Sequence, residues 1–364
     1  MRPTVVAFTD TYLPTVNGAT YTIKTWRERW ERRGGRMDVV YPRSEHTPEE
    51  GEHPVTSVPF PFYEGYRVGF PRIPDAVTAI DPDVVHAHTP FGVGLSGLRV
   101  ANRVDCPFVV SYHTPTDEYA TYLTDVLAAR IETVATTYED WFLDRADHIL
   151  VPSDSTKSQL ASRVETPIST VPNGIDTERF TPVDGEAFRR RYDLGGGQLI
   201  GYTGRHGYEK RLGDIIRAVA DLDVTVVFGG DGPARNSLES QATASDVDVR
   251  FLGFLDRAEL PAFYSALDVF AFPSPVETEG LVAHEATACG TPVVGVAAGA
   301  LAETIIPGET GFHYQPGDID GFQRMLSKAL DERESLVDSC LARREDVSVE
   351  HSVDTLERIY DGVC

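Results

Sequence analysis

Lysine is scarce in these 364 residues: Lys24, Lys157, Lys210 and Lys328 are the whole supply. Positive charge is thin in general, with 33 Lys and Arg against 56 Asp and Glu and a formal net charge of −23. Such a surface repels the phosphate backbone, which excludes a general nucleic-acid-binding role. The plain reading is a solvated acidic surface; a more specific one is a halophilic, salt-rich cytoplasm, where dense carboxylates keep a protein hydrated. Cysteine is sparse and scattered. Cys106, Cys289, Cys340 and Cys364 make no C-x-x-C pair and no zinc-spaced Cys/His cluster, so no metal is expected and reduced structural thiols are. Long hydrophobic runs are missing as well. The longest, 281–306, is broken by His284, Glu285 and Glu303, too interrupted to span a bilayer. The opening MRPTVVAFTDTYLP has no signal-peptide core, so a cytoplasmic protein is expected.

What is present is enough for globular folding, with 41% hydrophobic residues, and the length suits two domains. Short β-branched runs alternate with helical patterns. In the first half the strands are expected at 4–9, 37–41, 83–86, 108–112, 148–151 and 169–172, with helices between them at 20–33, 74–80, 93–103, 122–145 and 155–163. The pattern restarts after the turn-rich PNGIDTERFTPVDGE. Strands are then expected at 199–203, 224–228, 249–252, 269–272, 292–296 and 311–314. Alternation of this kind reads as βαβ units and two doubly wound parallel sheets. Ligands bind at the carboxyl ends of such strands, so informative residues should follow strands.

Four constellations do. Asn17 and Gly18 lie after the first strand and open a helix, where backbone N–H groups suit a phosphate. A plain strand-to-helix turn would use the same residues. The loop Gly204-Arg205-His206-Gly207-Tyr208-Glu209-Lys210 follows the first strand of the second half. Its two cations suit a diphosphate leaving group, unless Glu209 is merely a local partner. Glu277 follows the strand at 269–272. Gly280, Leu281 and Val282 then start a helix that carries Glu285, a carboxylate among apolar neighbours that needs hydrogen-bond donors such as ribose hydroxyls. A cap at Glu277 and a salt bridge at Glu285 would be the structural alternative. Finally, His86, His88 and His113 end two neighbouring strands. A structural role is expected for His86 and an active-site hydrogen bond for His113. Asp117 and Glu118 follow, suited to acceptor hydroxyls or to a plain acidic loop.

With the E-x7-E pair Glu277 and Glu285 followed by EATACGTPVV, and with PTVNGA, HAH, SYHT, VPNGID, GRHGYEK, GGDGP and FLGF in order, the chain resembles glycosyltransferase family 4. The resemblance implies an α/β, GT-B fold: two facing Rossmann-like doubly wound parallel-sheet domains with a cleft between them. It implies an acceptor-side domain at 1–171, a nucleotide-sugar-binding domain at 172–345, and a helix at 346–364 crossing back to the first domain. It implies a retaining hexosyl transfer from a UDP- or GDP-sugar without metal or other cofactor. Arg205 and Lys210 would hold the diphosphate and Glu285 the ribose. Glu277 would meet sugar hydroxyls, and the amides at Gly280, Leu281 and Val282 the sugar or phosphate. Gly18 would close on the diphosphate, and His113 would lie near the reactive face of the sugar. Asn17, His88 and Asp117 would stand on the acceptor side. The stretches SVPFPFYEGYRVGFP and PVETEG are similar to the branch of glycolipid mannosyl-, glucosyl- and sulfoquinovosyltransferases, which implies a lipid or cell-envelope glycan acceptor. Two departures fall in the donor loop: Glu279 stands where the family is usually apolar, and His284 replaces a usual Leu.

The helix at 20–33 carries Lys24, Arg27, Arg29, Arg32 and Arg33, with Arg36 just beyond. An interfacial helix would use them on anionic lipid at the inner face of a membrane. Ile23, Trp26 and Trp30 at helical spacing instead suit a core-facing helix. A nucleotide-sugar 2-epimerase shares the two-domain architecture; a non-catalytic nucleotide-sugar binder and, more distantly, a dehydrogenase are the other readings. Product analysis separates them.

Overall fold

The computed structural model describes residues 2–15, 17–60, 67–113 and 125–364, with the backbone alone for 125–133. The chain forms two compact units, Met1–Asn173 with Val349–Cys364, and Gly174–Ser348. The sequence-expected boundaries are 171/172 and 345/346; those of the contacts are 173/174 and 348/349.

The N-terminal unit runs β1 (Thr4–Phe8), α1 (Gly18–Arg32), β2 (Arg36–Pro42), β3 (Glu52–Val55), β4 (Ser57–Pro59), β5 (Arg67–Gly69), α2 (Asp75–Thr78), β6 (Val84–Ala87), α3 (Gly92–Val104), β7 (Phe108–Ser111), α4 (Asp125–Leu143), β8 (His148–Val151), α5 (Asp154–Leu160) and β9 (Ile168–Thr170). Seven strands make one sheet in the order β3-β2-β1-β6-β7-β8-β9, parallel throughout. Its strands are apolar on both faces, as a covered parallel sheet requires. Along β1, Val6 and Phe8 join the core beneath α3 and α4, while Val5 and Ala7 face the opposite core with Trp26 and Trp30. Strands β3 to β5 are absent from the sequence reading. Pro54 and Pro59 interrupt them, and proline is tolerated only at edges and ends of strands.

The C-terminal unit runs α6 (Gly185–Arg191), β10 (Gln198–Thr203), a 3-10 turn (Tyr208–Lys210), α7 (Gly213–Ala218), β11 (Val224–Gly229), α8 (Arg235–Thr243), β12 (Asp248–Gly253), α9 (Leu260–Ala266), β13 (Val269–Phe272), α10 (Leu281–Ala288), β14 (Val293–Val296), α11 (Leu301–Thr304), β15 (Gly311–Tyr314), α12 (Ile319–Asp331) and α13 (Arg333–Ala342). Its sheet order is β12-β11-β10-β13-β14-β15. Helix α6 hides in the turn-rich stretch and starts where the Asp184 carboxylate accepts from the Glu186 amide, 3.0 Å. The last helix, α14 (Val349–Val363), belongs to the N-terminal unit.

Helix α1 lies between the sheet and α14. Trp26 and Trp30 are 1% and 0% exposed, and their indole N–H groups donate to the carbonyls of Asn173 (2.7 Å) and Pro3 (3.2 Å). Its cations find carboxylates of the same unit: Arg27 with Glu52 (3.1 Å), Arg29 with Glu350 (2.5 Å), Arg33 with Asp354 (2.5 Å), Lys24 with Glu28 (3.9 Å). Arg36 beyond it meets Asp38 at 2.6 Å. On the helix expected to meet anionic lipid, Arg27 and Arg29 are buried, and Lys24, Arg33 and Arg36 pair with carboxylates of this unit. Among the described residues no helix is long and apolar enough to cross a membrane.

Candidate active site

In both sheets the strand order reverses beside the first strand, between β1 and β6 and between β10 and β13. Loops leaving neighbouring strands in opposite directions open a crevice there, the usual ligand position in such sheets.

In the C-terminal unit the loops after β10 and β13 meet across that point. Gly204 has φ +139, and a Cβ on Gly230 (φ +103) would sit 2.0 Å from the Gly204 carbonyl oxygen. Only glycine allows this approach. The buried His206 ties the loop down, its N–H donating to the Asp231 carbonyl at 2.8 Å. That leaves Arg205 and Lys210 projecting from a fixed backbone. Arg205 pairs with Glu209 at 2.6 Å. Lys210 reaches the other loop and pairs with Glu277 at 2.7 Å, both side chains being largely buried. So the structure brings Lys210 and Glu277 together, and Arg205 has the local partner that the sequence allowed.

Gly280 (φ +84) is the N-cap of α10. A Cβ there would lie 2.7 Å from Leu301, so the turn needs glycine twice over. Leu281 and Val282 form the first helical turn, whose amides have no intrahelical acceptor. Glu285, 4% exposed, faces α9: Tyr264 donates its hydroxyl at 2.8 Å and Arg257 approaches at 3.2 Å. Burial pushes the Glu285 carboxyl up, and Arg257 and Tyr264 act against that. Arg257 and Tyr264 are missing from the sequence reading; a cation three positions after FLGF was the one available signal. The two departures from the family pattern are neighbours: Glu279 is 4% exposed and lies 4.0 Å from His284. Burial holds the His284 imidazole down to about 4, so it is neutral near pH 7.

In the N-terminal unit, the Asp10 carboxylate after β1 accepts from the Val93 amide (2.9 Å) and the Thr89 hydroxyl (2.7 Å), tying the two diverging loops together. Asn17 is the N-cap of α1: its side chain accepts from the Thr20 amide and donates to Thr11, each 2.8 Å. Gly18 is the first helical residue. His86 is fully buried between the Tyr360 hydroxyl (2.6 Å) and the Ser111 hydroxyl (2.8 Å), a structural histidine. His88 Nδ1 and His113 Nε2 share a hydrogen bond of 2.9 Å. Such a bond needs one N–H and one lone pair, hence one donor and one acceptor ring nitrogen. Burial agrees: it lowers His88 well below its ordinary value and His113 to about 4, with Asn173 pulling the latter back. His88 Nε2 is buried without a hydrogen-bond partner among the described residues. Asp117 and Glu118 lie outside the described residues. Among the described residues no group of three or more His, Cys, Asp or Glu is placed to hold a metal ion.

The profile of Glycosyltransferase Family 4 matches residues 16–179, and that of Glycosyl transferases group 1 matches 185–340. A GDP-mannose-dependent alpha-mannosyltransferase of Mycobacterium tuberculosis is 30% identical over 88% of this chain and 85% of its own length. The chain belongs to glycosyltransferase family 4. Sulfoquinovosyl transferase SQD2 of Arabidopsis thaliana is 32% identical to this glycosyltransferase over 84% of the chain, but the match spans 62% of the plant protein. Among solved structures, Anabaena Alr3699/HepE in complex with UDP superposes with a TM-score of 0.77 at 18% identity, covering 99% of this chain and 100% of the other. The glycosyltransferase thus has the GT-B fold, in the branch to which glycolipid-forming relatives belong.

Proposed function

We propose that the enzyme transfers a hexose from a UDP- or GDP-linked donor to a lipid or cell-envelope glycoconjugate, with retention of anomeric configuration and without a metal. The observation that carries this reading is the Lys210–Glu277 pair across the strand-order reversal, with buried Glu285 on the helix that follows. Donor binding would exchange partners. Lys210 and Arg205 turn to the diphosphate, whose negative charge grows as the glycosidic bond breaks, and this lowers the barrier. Glu277, released, accepts sugar hydroxyls. Glu285, beside Arg257, accepts the ribose hydroxyls. The Gly280–Val282 amides meet sugar or phosphate, and Gly18 meets the diphosphate. His113, neutral, offers a hydrogen bond rather than a charge to the sugar. Asn17, His88 and Asp117 serve the acceptor, with the unpartnered His88 Nε2 suited to a hydroxyl.

Supporting the donor class are the relatives' names, one GDP-mannose-dependent and one solved with UDP. No nucleophile is assigned beside the sugar, so same-face attack through an ion-pair-like transition state is the favoured route to retention. A lipid acceptor would bring a cytoplasmic enzyme to the inner face of a membrane, and the net charge of −23 suits salt-rich cytoplasm. The test is product analysis with UDP- and GDP-hexoses at high salt, together with melting curves. The reading expects free nucleotide diphosphate, an α- or β-linkage matching the donor, and a melting temperature raised by one nucleotide in wild type but not in Glu285→Ala. An epimerised donor, or no melting shift with either nucleotide in folded protein, overturns it.

A further inference from the structure

Tyr202 is the penultimate residue of β10 and is 2% exposed. Aromatic neighbours in the C-terminal unit hold its ring. It stacks on Phe270 with centroids 5.8 Å apart and an interplanar angle of 23°, and it packs against Phe272 at 5.9 Å and His206 at 6.5 Å. The hydroxyl end reaches the loop that carries Arg205 and Lys210. A Cβ on Gly204 would fall 2.9 Å from the hydroxyl oxygen and 3.4 Å from Cζ. Glycine at 204 therefore leaves room for a phenol at the carboxyl edge of the sheet, one residue before Arg205.

Among the described residues this hydroxyl has no hydrogen-bond partner. A buried tyrosine hydroxyl usually finds one, and leaving it unmade costs free energy. Tyr264 in the same core follows the rule, donating to Glu285 at 2.8 Å. Burial raises the Tyr202 phenol well above its ordinary value, the carboxylates of Glu277 and Glu209 raise it further, and Arg205 pulls it back. The group is thus a neutral phenol with a proton to donate. Both carboxylates that act on it are already paired, Glu277 with Lys210 and Glu209 with Arg205. An acceptor that draws those two cations to itself suits the hydroxyl as well. Anionic phosphate oxygens do this, and an O–H bond to such an oxygen is of the strong, charge-assisted kind. Of the two carboxylates Glu277 acts on Tyr202 more strongly, and Glu277 is the group read above as meeting the sugar. Glu285, read as meeting the ribose, is held by Tyr264 and Arg257 instead. The phenol therefore belongs to the sugar end of the diphosphate.

We propose that the Tyr202 hydroxyl is a donor-binding group that donates to an anionic oxygen of the sugar-side phosphate of the nucleotide diphosphate. The proposal rests on the transferase reading above. The test is calorimetric titration of the full chain, at a salt concentration that preserves its melting transition, with UDP and GDP and with UMP and GMP taken to saturation. Wild type should bind one of the two diphosphates. Tyr202→Phe removes only the hydroxyl and should weaken that binding roughly tenfold, the loss of one charge-assisted hydrogen bond. The matching monophosphate lacks the sugar-side phosphate, so its binding should change by less than about twofold. Without nucleotide, Tyr202→Phe should keep the wild-type melting temperature, because the hydroxyl bonds to no described group. Tyr264→Phe, which breaks the bond to Glu285, should lower it. Equal diphosphate binding by wild type and Tyr202→Phe overturns the proposal. So does equal weakening of diphosphate and monophosphate, which would take the hydroxyl away from the sugar-side phosphate. So does a lowered melting temperature of Tyr202→Phe without nucleotide, which would make the hydroxyl structural. Folded wild type that binds neither diphosphate overturns the transferase reading and this proposal together, whereas binding that Tyr202→Phe leaves intact overturns this proposal alone.

Discussion

Helix α1 and the β4–β5 ribbon both combine arginine with large apolar side chains, and both belong to the N-terminal unit. In α1 the apolar side is Trp26 and Trp30 under α14, and Arg27, Arg29 and Arg33 meet Glu52, Glu350 and Asp354. On the ribbon, Val68 and Phe70 are exposed, and the Arg67 and Arg99 side chains donate to Ser57 and to the Pro71 carbonyl. The same residue types thus make a buried seat in one place and an open face in the other. The difference lies in where the carboxylates are: Glu350 and Asp354 come from a helix more than 300 positions away (|i−j| = 321).

The sharpest way to break this contrast is Trp26→Ala. The side chain is 1% exposed, and its loss should cost about 3–5 kcal/mol in a denaturant titration; a loss below about 1 kcal/mol would mean that α1 is not a core helix. Arg27→Ala comes next. It takes the guanidinium from Glu52, whose side chain is 2% exposed, and leaves that carboxylate the Tyr12 hydroxyl, His46 and the Glu49 amide, at a cost of about 2 kcal/mol. Glu52→Gln added to it should recover part of that loss, and no recovery would assign the effect to packing alone. Acid should also unseat α1, because Trp26 lies against His86 and His88 with ring centroids 6.2 and 6.1 Å away. Burial lowers His86 to about 3 and His113 to about 4. A depressed folded value makes stability complete above the unfolded value of about 6.5 and lost as pH falls toward 4. The melting temperature should therefore fall through that window, and His86→Gln should flatten the fall. The smallest expected effect is on the ribbon: Val68→Ser with Phe70→Ser should change stability by no more than about 0.5 kcal/mol. A large loss there would show that the ribbon face is part of a core.

Much of the site was legible because it is local. The E-x7-E spacing puts Glu277 in a loop and Glu285 on the helix after it, and strand–turn patterns locate the Arg205–Lys210 loop within a residue or two. Its electrostatics was not legible. Arg257 and Tyr264 sit on the stretch after β12, and no spacing rule ties them to Glu285. Asn17 reads equally well as a binding residue or a cap, and only its bond to the Thr20 amide shows the cap. Glu279 and His284 were visible as departures from a pattern; that they are neighbours was not.

By itself the sequence determined the alternation of strands and helices, the glycine turns at 204 and 280, and the loops that carry the chemistry. These follow from hydrophobic periodicity and backbone sterics over a few residues. Only the tertiary structure decided which charges are neutralised: Lys210 by Glu277, Arg29 by Glu350, and Arg43 and Arg72 by no described carboxylate. The reason is physical. Periodicity is a property of neighbours in the chain, while the energy of a charge depends on whatever the fold brings within a few ångströms of it.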